Sequence, residues 1–220
     1  MSIRERFEQE LMSVQKDFVN LCNISINTLE ASFKTLIQKD VGLAQKIIED
    51  DEVINQMEEE INDRVVFILT TQQPVVATDL RRLIVLLKAA SDMERVGDYA
   101  TNISKETVRI QDEPFITSVE LLEDMCFKTI SMLRQVVDAF IEEDTSKAKE
   151  VAELDDQIDN MYGSMISHLM QLSATSPDSV SQITSLSFVC RFIERSADLA
   201  TNIAEYILYL KKGLRLDLNH

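Results

Sequence analysis

Glycine and proline are scarce, four and three residues in 220, and tryptophan is absent. So few breakers leave little material for hairpins or glycine-rich loops, and the chain reads as long helices with few connections. Histidine is confined to His168 and His220. That excludes an HExxH motif, a multi-histidine zinc site and the ExxH signature of di-iron bundles. The three cysteines, Cys22, Cys126 and Cys190, stand far apart with no CxxC, a usage that suits buried free thiols in a reducing cytosol. There is no glycine-rich phosphate loop, no GxSxG elbow and no Cys–His pair suited to nucleophilic work, so an enzyme is not expected. Basic residues are outnumbered, 22 against 38 acidic, for a formal net charge of −16. Such a surface repels phosphate backbones and anionic headgroups, so neither nucleic acid nor lipid bound through a basic patch is expected. No uncharged stretch approaches the length of a membrane span, and the opening MSIRERFEQE has no apolar core of a signal peptide. The expectation is a cytoplasmic protein with no direct membrane insertion.

What is present is a helical period. Phe7, Leu11, Val14, Phe18, Leu21 and Leu29 recur at steps of three and four, or their multiples. A second segment carries Val41, Ala44, Ile48, Ile54, Met57, Ile61, Val65 and Ile68, and a third, from about Thr78, carries Leu80, Leu83, Leu87 and Ile103. Stripes of this period mark amphipathic helices, here about thirty residues long, which suits a bundle. Pro74, Pro114 and Pro177 follow the polar stretches TTQQ, QDE and SATS, where helices should stop. Asp40 and Asp144 stand where second helices should start, with a carboxylate to cap free N–H groups.

The second half repeats the first. An offset of 104 pairs Cys22 with Cys126, Leu29 with Leu133, Asp40 with Asp144, Asp51 with Asp155, Ile54 with Ile158 and Met57 with Met161. Beyond Pro74 the offset becomes 100, and ERVGDYATNI meets ERSADLATNI with seven identities in ten positions, polar ones included. A repeat of this length implies two copies of one unit. The expected fold is all-α: two tandem three-helix bundles, six long helices in all, over residues 1–112 and 113–220.

The repeated polar residues form a pattern. Glu94, Asp98 and Asn102 are spaced i, i+4, i+8 on one helix face, and Glu194, Asp198 and Asn202 repeat them. The second helices add Asp51 with Asn55, and Asp155 with Asp159. Packed side by side, second and third helices would bring acidic pairs together. Adjacent carboxylates repel unless a cation intervenes, and hard ions such as magnesium, calcium, manganese or iron take such oxygen ligands. The spacing alone is weak in so acidic a chain. Two readings compete: a metal-free helical scaffold with solvated acidic faces, Arg95 and Arg195 being ion-pair partners, and a metal-dependent enzyme in which metal-bound water on the clustered carboxylates supplies the nucleophile.

These residues resemble the PhoU family. Its plan is two tandem three-helix domains with an E(D)xxxD motif on the second and third helix of each. The motifs stand here as DEVIN (Asp51–Asn55), ERVGD (Glu94–Asp98), DDQID (Asp155–Asp159) and ERSAD (Glu194–Asp198). The resemblance spans nearly the whole chain. It implies a negative regulator of high-affinity phosphate uptake and of phosphate-starvation signalling. Such a protein works as an adaptor between the phosphate ABC transporter, chiefly its ATPase subunit, and a sensor histidine kinase, recruited by them to the inner face of the membrane. It also implies a homodimer, and metal ions (iron, zinc, manganese or magnesium, in some members multinuclear clusters) on Asp51, Asn55, Glu94, Asp98, Asp155, Asp159, Glu194 and Asp198. Asn55 departs from the pattern, which expects an aspartate there. The amide keeps a carbonyl oxygen but loses a charge, so the first cluster is expected to be weaker, smaller or absent. Asn102 and Asn202 are further carbonyl or supporting ligands under the same resemblance.

Overall fold

In the computed structural model the residues described are 3–71, 76–213 and 218. Pro74 and His220 lie outside them. The first repeat consists of α1 (Ile3–Gln38), α2 (Val41–Glu49), α3 (Glu52–Thr71) and α4 (Ala77–Ile110). The second consists of α5 (Glu120–Glu142), α6 (Thr145–Thr175) and α7 (Val180–Lys212), with one 3-10 turn at Pro177–Ser179. No strand occurs among the described residues, and none of their helices is long and apolar enough to cross a membrane. The fold is two three-helix bundles, as the periodicity predicts, with one modification. The second helix of the first repeat is broken at Asp50–Asp51, whereas α6 runs through the equivalent point. The cause is local. Glu49-Asp50-Asp51-Glu52 sets four carboxylates in a row, and Asp is a poor helix former. The second repeat has Leu154 at the position of Asp50, and its side chain packs on the core.

Both repeats make the first turn in the same way. Lys39 and Glu143, equivalent positions, adopt left-handed backbone (φ 57° and 49°). The next amide reaches back to a carbonyl five residues earlier, Asp40 N to Thr35 O and Asp144 N to Ala139 O, each 2.9 Å. This is the closure that usually uses glycine. Asp40 then caps α2 through Leu43 N (2.9 Å), and Asp144 caps α6 through Ser146 N (2.8 Å), as the sequence leads one to expect.

The bundles are not separate bodies. α4 packs along α7 and α1 along α5, and one continuous apolar cluster runs through both repeats. α1 and α5 lie antiparallel, with Phe18 against Phe140 (ring centroids 4.8 Å apart) and Glu30 paired with Arg134 (2.6 Å). The connection over residues 111–119 contains Pro114 and is held down by Gln182, whose amide accepts from Ile116 N (2.7 Å) and donates to Pro114 O (3.0 Å). All three cysteines are buried and free.

One stripe residue is misplaced in the sequence reading. Leu80 is 40% exposed, and its neighbour Asp79 is buried instead. The buried line of α4 runs Asp79, Leu83, Leu86, Ala90 and Met93. Arg4 and Arg82 supply the cations that let a carboxylate lie on it.

Candidate functional site

Each repeat presents a polar face where its second helix meets its third. In the second repeat, Asp155 and Asp159 come from α6 and Asp198 from α7. One oxygen from each of the three lies within 4.8 Å of the others, the closest such set among the described residues. Asp155 is 8% exposed, Asp198 half-buried and Asp159 exposed. Thr201 donates to Asp155 Oδ2 (3.0 Å), while Oδ1 of the same carboxylate is buried with no hydrogen-bond partner. Glu194, four residues before Asp198 on α7, is half-buried. Its Oε2 has no hydrogen-bond partner either, and Arg195 Nε approaches it only to 4.0 Å.

The electrostatics follow from this crowding. Burial, Asp198 and Asp159 push the Glu194 carboxyl up to about 7. Burial pushes Asp155 to about 6 despite the Thr201 hydrogen bond, with Asp198 and Asp159 adding to the rise. Asp159 and Asp198 are raised as well, burial being the first cause in both. These oxygens sit together without enough positive charge around them. Buried carboxylate oxygens with no donor fit a hard cation, which takes several such ligands without needing hydrogens.

In the first repeat the same scaffold recurs. Thr101 donates to Asp51 Oδ1 (2.7 Å), the counterpart of the Thr201–Asp155 bond. Asn55 is half-buried on α3 and its Oδ1 is enclosed with no hydrogen-bond partner. Burial, Asp98, Glu58 and Asp51 together push Glu94 to about 7, and burial with Asp51 raises Asp98. These residues do not close into a triad as tight as that of the second repeat. The close packing of α3 on α4 has a specific device: a Cβ on Gly97 would lie 2.7 Å from Ile54 Cδ1. Ala197 occupies the equivalent position in the second repeat.

All eight acidic-motif positions therefore stand on the two helix–helix faces, four per repeat. Asn102 and Asn202 do not join them as closely. Asn102 accepts from Lys105 (3.2 Å), and Asn202 lines a separate cavity between α4 and α7 with Lys88 and Tyr206. A helix face rotates by about 40° every four residues, so an i+8 neighbour has turned away by about 80°. The sequence reading did not assign Thr101 and Thr201, although they stood among the identities of the repeat. It also missed Glu58, where the other copy has Tyr162, so repetition could not flag it. His168 is exposed on α6 and bonded to Thr117 (2.7 Å).

Known proteins agree with this architecture. The family model described as the PhoU domain matches the chain twice, over residues 18–107 and 122–207. A Clostridium acetobutylicum protein named phosphate-specific transport system accessory protein PhoU homolog is 32% identical over 216 residues, covering 98% of this chain and 99% of its own. The crystal structure of the phosphate transport system regulatory protein PhoU from Streptococcus pneumoniae superposes with a TM-score of 0.90 at 30% identity, over 96% of this chain and 99% of that one. PhoU from Pseudomonas aeruginosa gives the same TM-score and identity over 94% of this chain and 100% of its own. Two copies of the domain, near-complete mutual coverage and the matching three-dimensional structure place this chain in the PhoU family.

Proposed function

We propose that this chain is a negative regulator of high-affinity phosphate uptake and phosphate-starvation signalling. It acts by docking on other proteins rather than by turnover. The relatives' names, as accessory and regulatory proteins of the phosphate-specific transport system, support that assignment. Its partners are the ATPase subunit of the phosphate ABC transporter and a sensor histidine kinase, met at the inner face of the membrane, with a second copy of the chain as a further partner. The two acidic faces hold metal ions. The observation that carries the metal reading is the Asp155–Asp159–Asp198 cluster, with a buried carboxylate oxygen that no hydrogen bond satisfies. Ligands that are all oxygen favour magnesium, manganese or iron over zinc. A bound ion would neutralise part of a strongly acidic surface, and so change what that surface attracts.

The test is elemental analysis of purified, dialysed protein beside a variant with Glu94, Asp98, Glu194 and Asp198 all changed to Ala. Metal retained by the native chain and lost from the variant is expected, with helicity by circular dichroism unchanged because Ala favours helix. In cells lacking the chain, the native gene should restore repression of phosphate-starvation reporters. Absence of metal from both proteins would remove the metal reading, and failure to restore repression would remove the regulatory one.

A further inference from the structure

The seam between α4 and α7, where the two repeats meet, is sealed on one side and open on the other. Tyr99 of α4 stacks on Phe192 of α7, and Phe192 on Phe188, with ring centroids 5.8 and 6.2 Å apart. The repeat offset of 100 carries Tyr99, Phe192 and Phe188 to Leu199, Asp92 and Lys88 on the other side. Two of the three rings are thus replaced by a carboxylate and an ammonium. A cavity of about 240 Å³ opens there, lined by Ile84, Val85 and Lys88 from α4 and by Asn202, Tyr206 and Tyr209 from α7. It is smaller than the pockets that hold drug-sized ligands, and suits a small metabolite.

The helices set out its polar groups in order. Lys88 Nζ lies 5.2 Å from the centroid of the Tyr206 ring. Tyr99 meets Phe192 and Lys88 meets Tyr206, so α4 and α7 run antiparallel. Asp92, one turn beyond Lys88 on the same face, therefore comes level with Asn202. Asp92 is 5% exposed, and its Oδ2 is buried with no hydrogen-bond partner. The Tyr206 hydroxyl lies against the same carboxylate. Lys88 stands over the ring instead of pairing with Asp92, so that oxygen stays unsatisfied. A buried acceptor without a donor is costly, and a ligand that brings a donor recovers the loss. Glu205, also at the cavity, is already engaged: its Oε1 accepts from Leu218 N at 2.7 Å. The end away from Asp92 is apolar, formed by Ile84, Val85 and the Tyr209 ring.

We propose that this cavity binds a hydrophobic α-amino acid as its zwitterion. The ammonium donates to Asp92 Oδ2 and to the Asn202 carbonyl, and the carboxylate pairs with Lys88. The side chain packs on Ile84, Val85 and Tyr209. An acid and a base four residues apart on one helix face have Cβ atoms about 6 Å apart. They present together the two signs that a single α-carbon carries. Neither a plain amine nor a plain carboxylate answers both. Because α4 and α7 belong to different repeats, the ligand braces one repeat against the other. The chain so gains a small-molecule input that does not depend on its acidic faces.

The test is calorimetric titration of L-leucine, L-isoleucine and L-phenylalanine into full-length protein treated with a chelator, which removes binding through a metal ion. Saturable binding of at least one is expected, with a dissociation constant of about 1 mM or below. The amide of that amino acid, which lacks the carboxylate, should bind at least about tenfold more weakly, and so should its deaminated acid, which lacks the ammonium. Lys88→Gln should weaken the amino acid about tenfold and leave its amide unchanged within about twofold. Lys88→Phe, which copies Phe188, should close the cavity and abolish binding with helicity by circular dichroism intact, since residue 88 is exposed. Lys149→Gln, the same charge change at an exposed residue of α6, should alter affinity by less than about twofold. No binding by the native chain at about 10 mM ligand would overturn the proposal. So would equal affinity for the amide or the deaminated acid, or binding indifferent to both Lys88 variants.

Discussion

A carboxyl group raised to about 7 holds its proton where an unfolded chain has given it up, and this chain has two such groups, Glu94 and Glu194, with Asp155 at about 6. In metal-free protein the native state therefore binds more protons than the unfolded state between their unfolded values, about 4, and their folded ones. The stability these protons confer is complete below about pH 4 and is lost as pH climbs through 6 and 7. The melting temperature of chelator-treated protein should fall from about pH 5 to about pH 8, and Glu94→Gln/Glu194→Gln should flatten that slope. Manganese should reverse it, since ion and proton compete for the same oxygens and the ion wins as pH rises. An unchanged slope in the double variant would mean that the pH dependence arises elsewhere on this acidic surface.

At the scale of elements, the α3–α4 contact leaves no room for a side chain at Gly97. Gly97→Ala gains up to about 1 kcal/mol of helix propensity but drives a methyl into Ile54. Overpacking of this kind costs about 1–3 kcal/mol, so a net loss of about 1 kcal/mol is expected by urea denaturation, with recovery in Gly97→Ala/Ile54→Val. The same helices indicate how much could be read without coordinates. Periodicity and the repeat specify the six rods, and the caps at Asp40 and Asp144 follow from residue type and position. The eight motif positions emerge on the two faces because an i, i+4 step keeps neighbours on one side. The break at Asp50–Asp51 was not legible, because the apolar stripe continues across it and only the fourfold carboxylate run hints at it. Leu80 was misread because the pattern is blind to a buried Asp79 compensated by Arg4, from a helix some seventy residues away in sequence.

The whole molecule behaves as one core. Leu83 is fully buried in α4, the helix that packs along α7 of the other repeat. Leu83→Asp would bury an unpaired charge and should remove several kcal/mol. Because the apolar cluster is continuous, the loss should be shared: a single, earlier transition by circular dichroism, with hydrogen exchange accelerating in α6 and α7 as well as in α1 to α4. Exchange confined to the first repeat would show that the two bundles unfold independently. Ion pairing crosses the same boundary, since Glu143 accepts Arg82 (3.0 Å) from one repeat and Lys211 (2.6 Å) from the other. The Glu30–Arg134 pair adds a point about symmetry. Positions 30 and 134 are the same position of the repeating unit, so they lie where the unit meets its own image. In an assembly of two identical chains joined by this face, that position would confront itself and carry like charges across the axis. Opposite charges become available there only when the two copies are written separately into one chain and free to mutate apart. By the same logic, covalent duplication lets the Asn55/Glu58 and Asp159/Tyr162 faces diverge, giving one molecule two unlike versions of a single design.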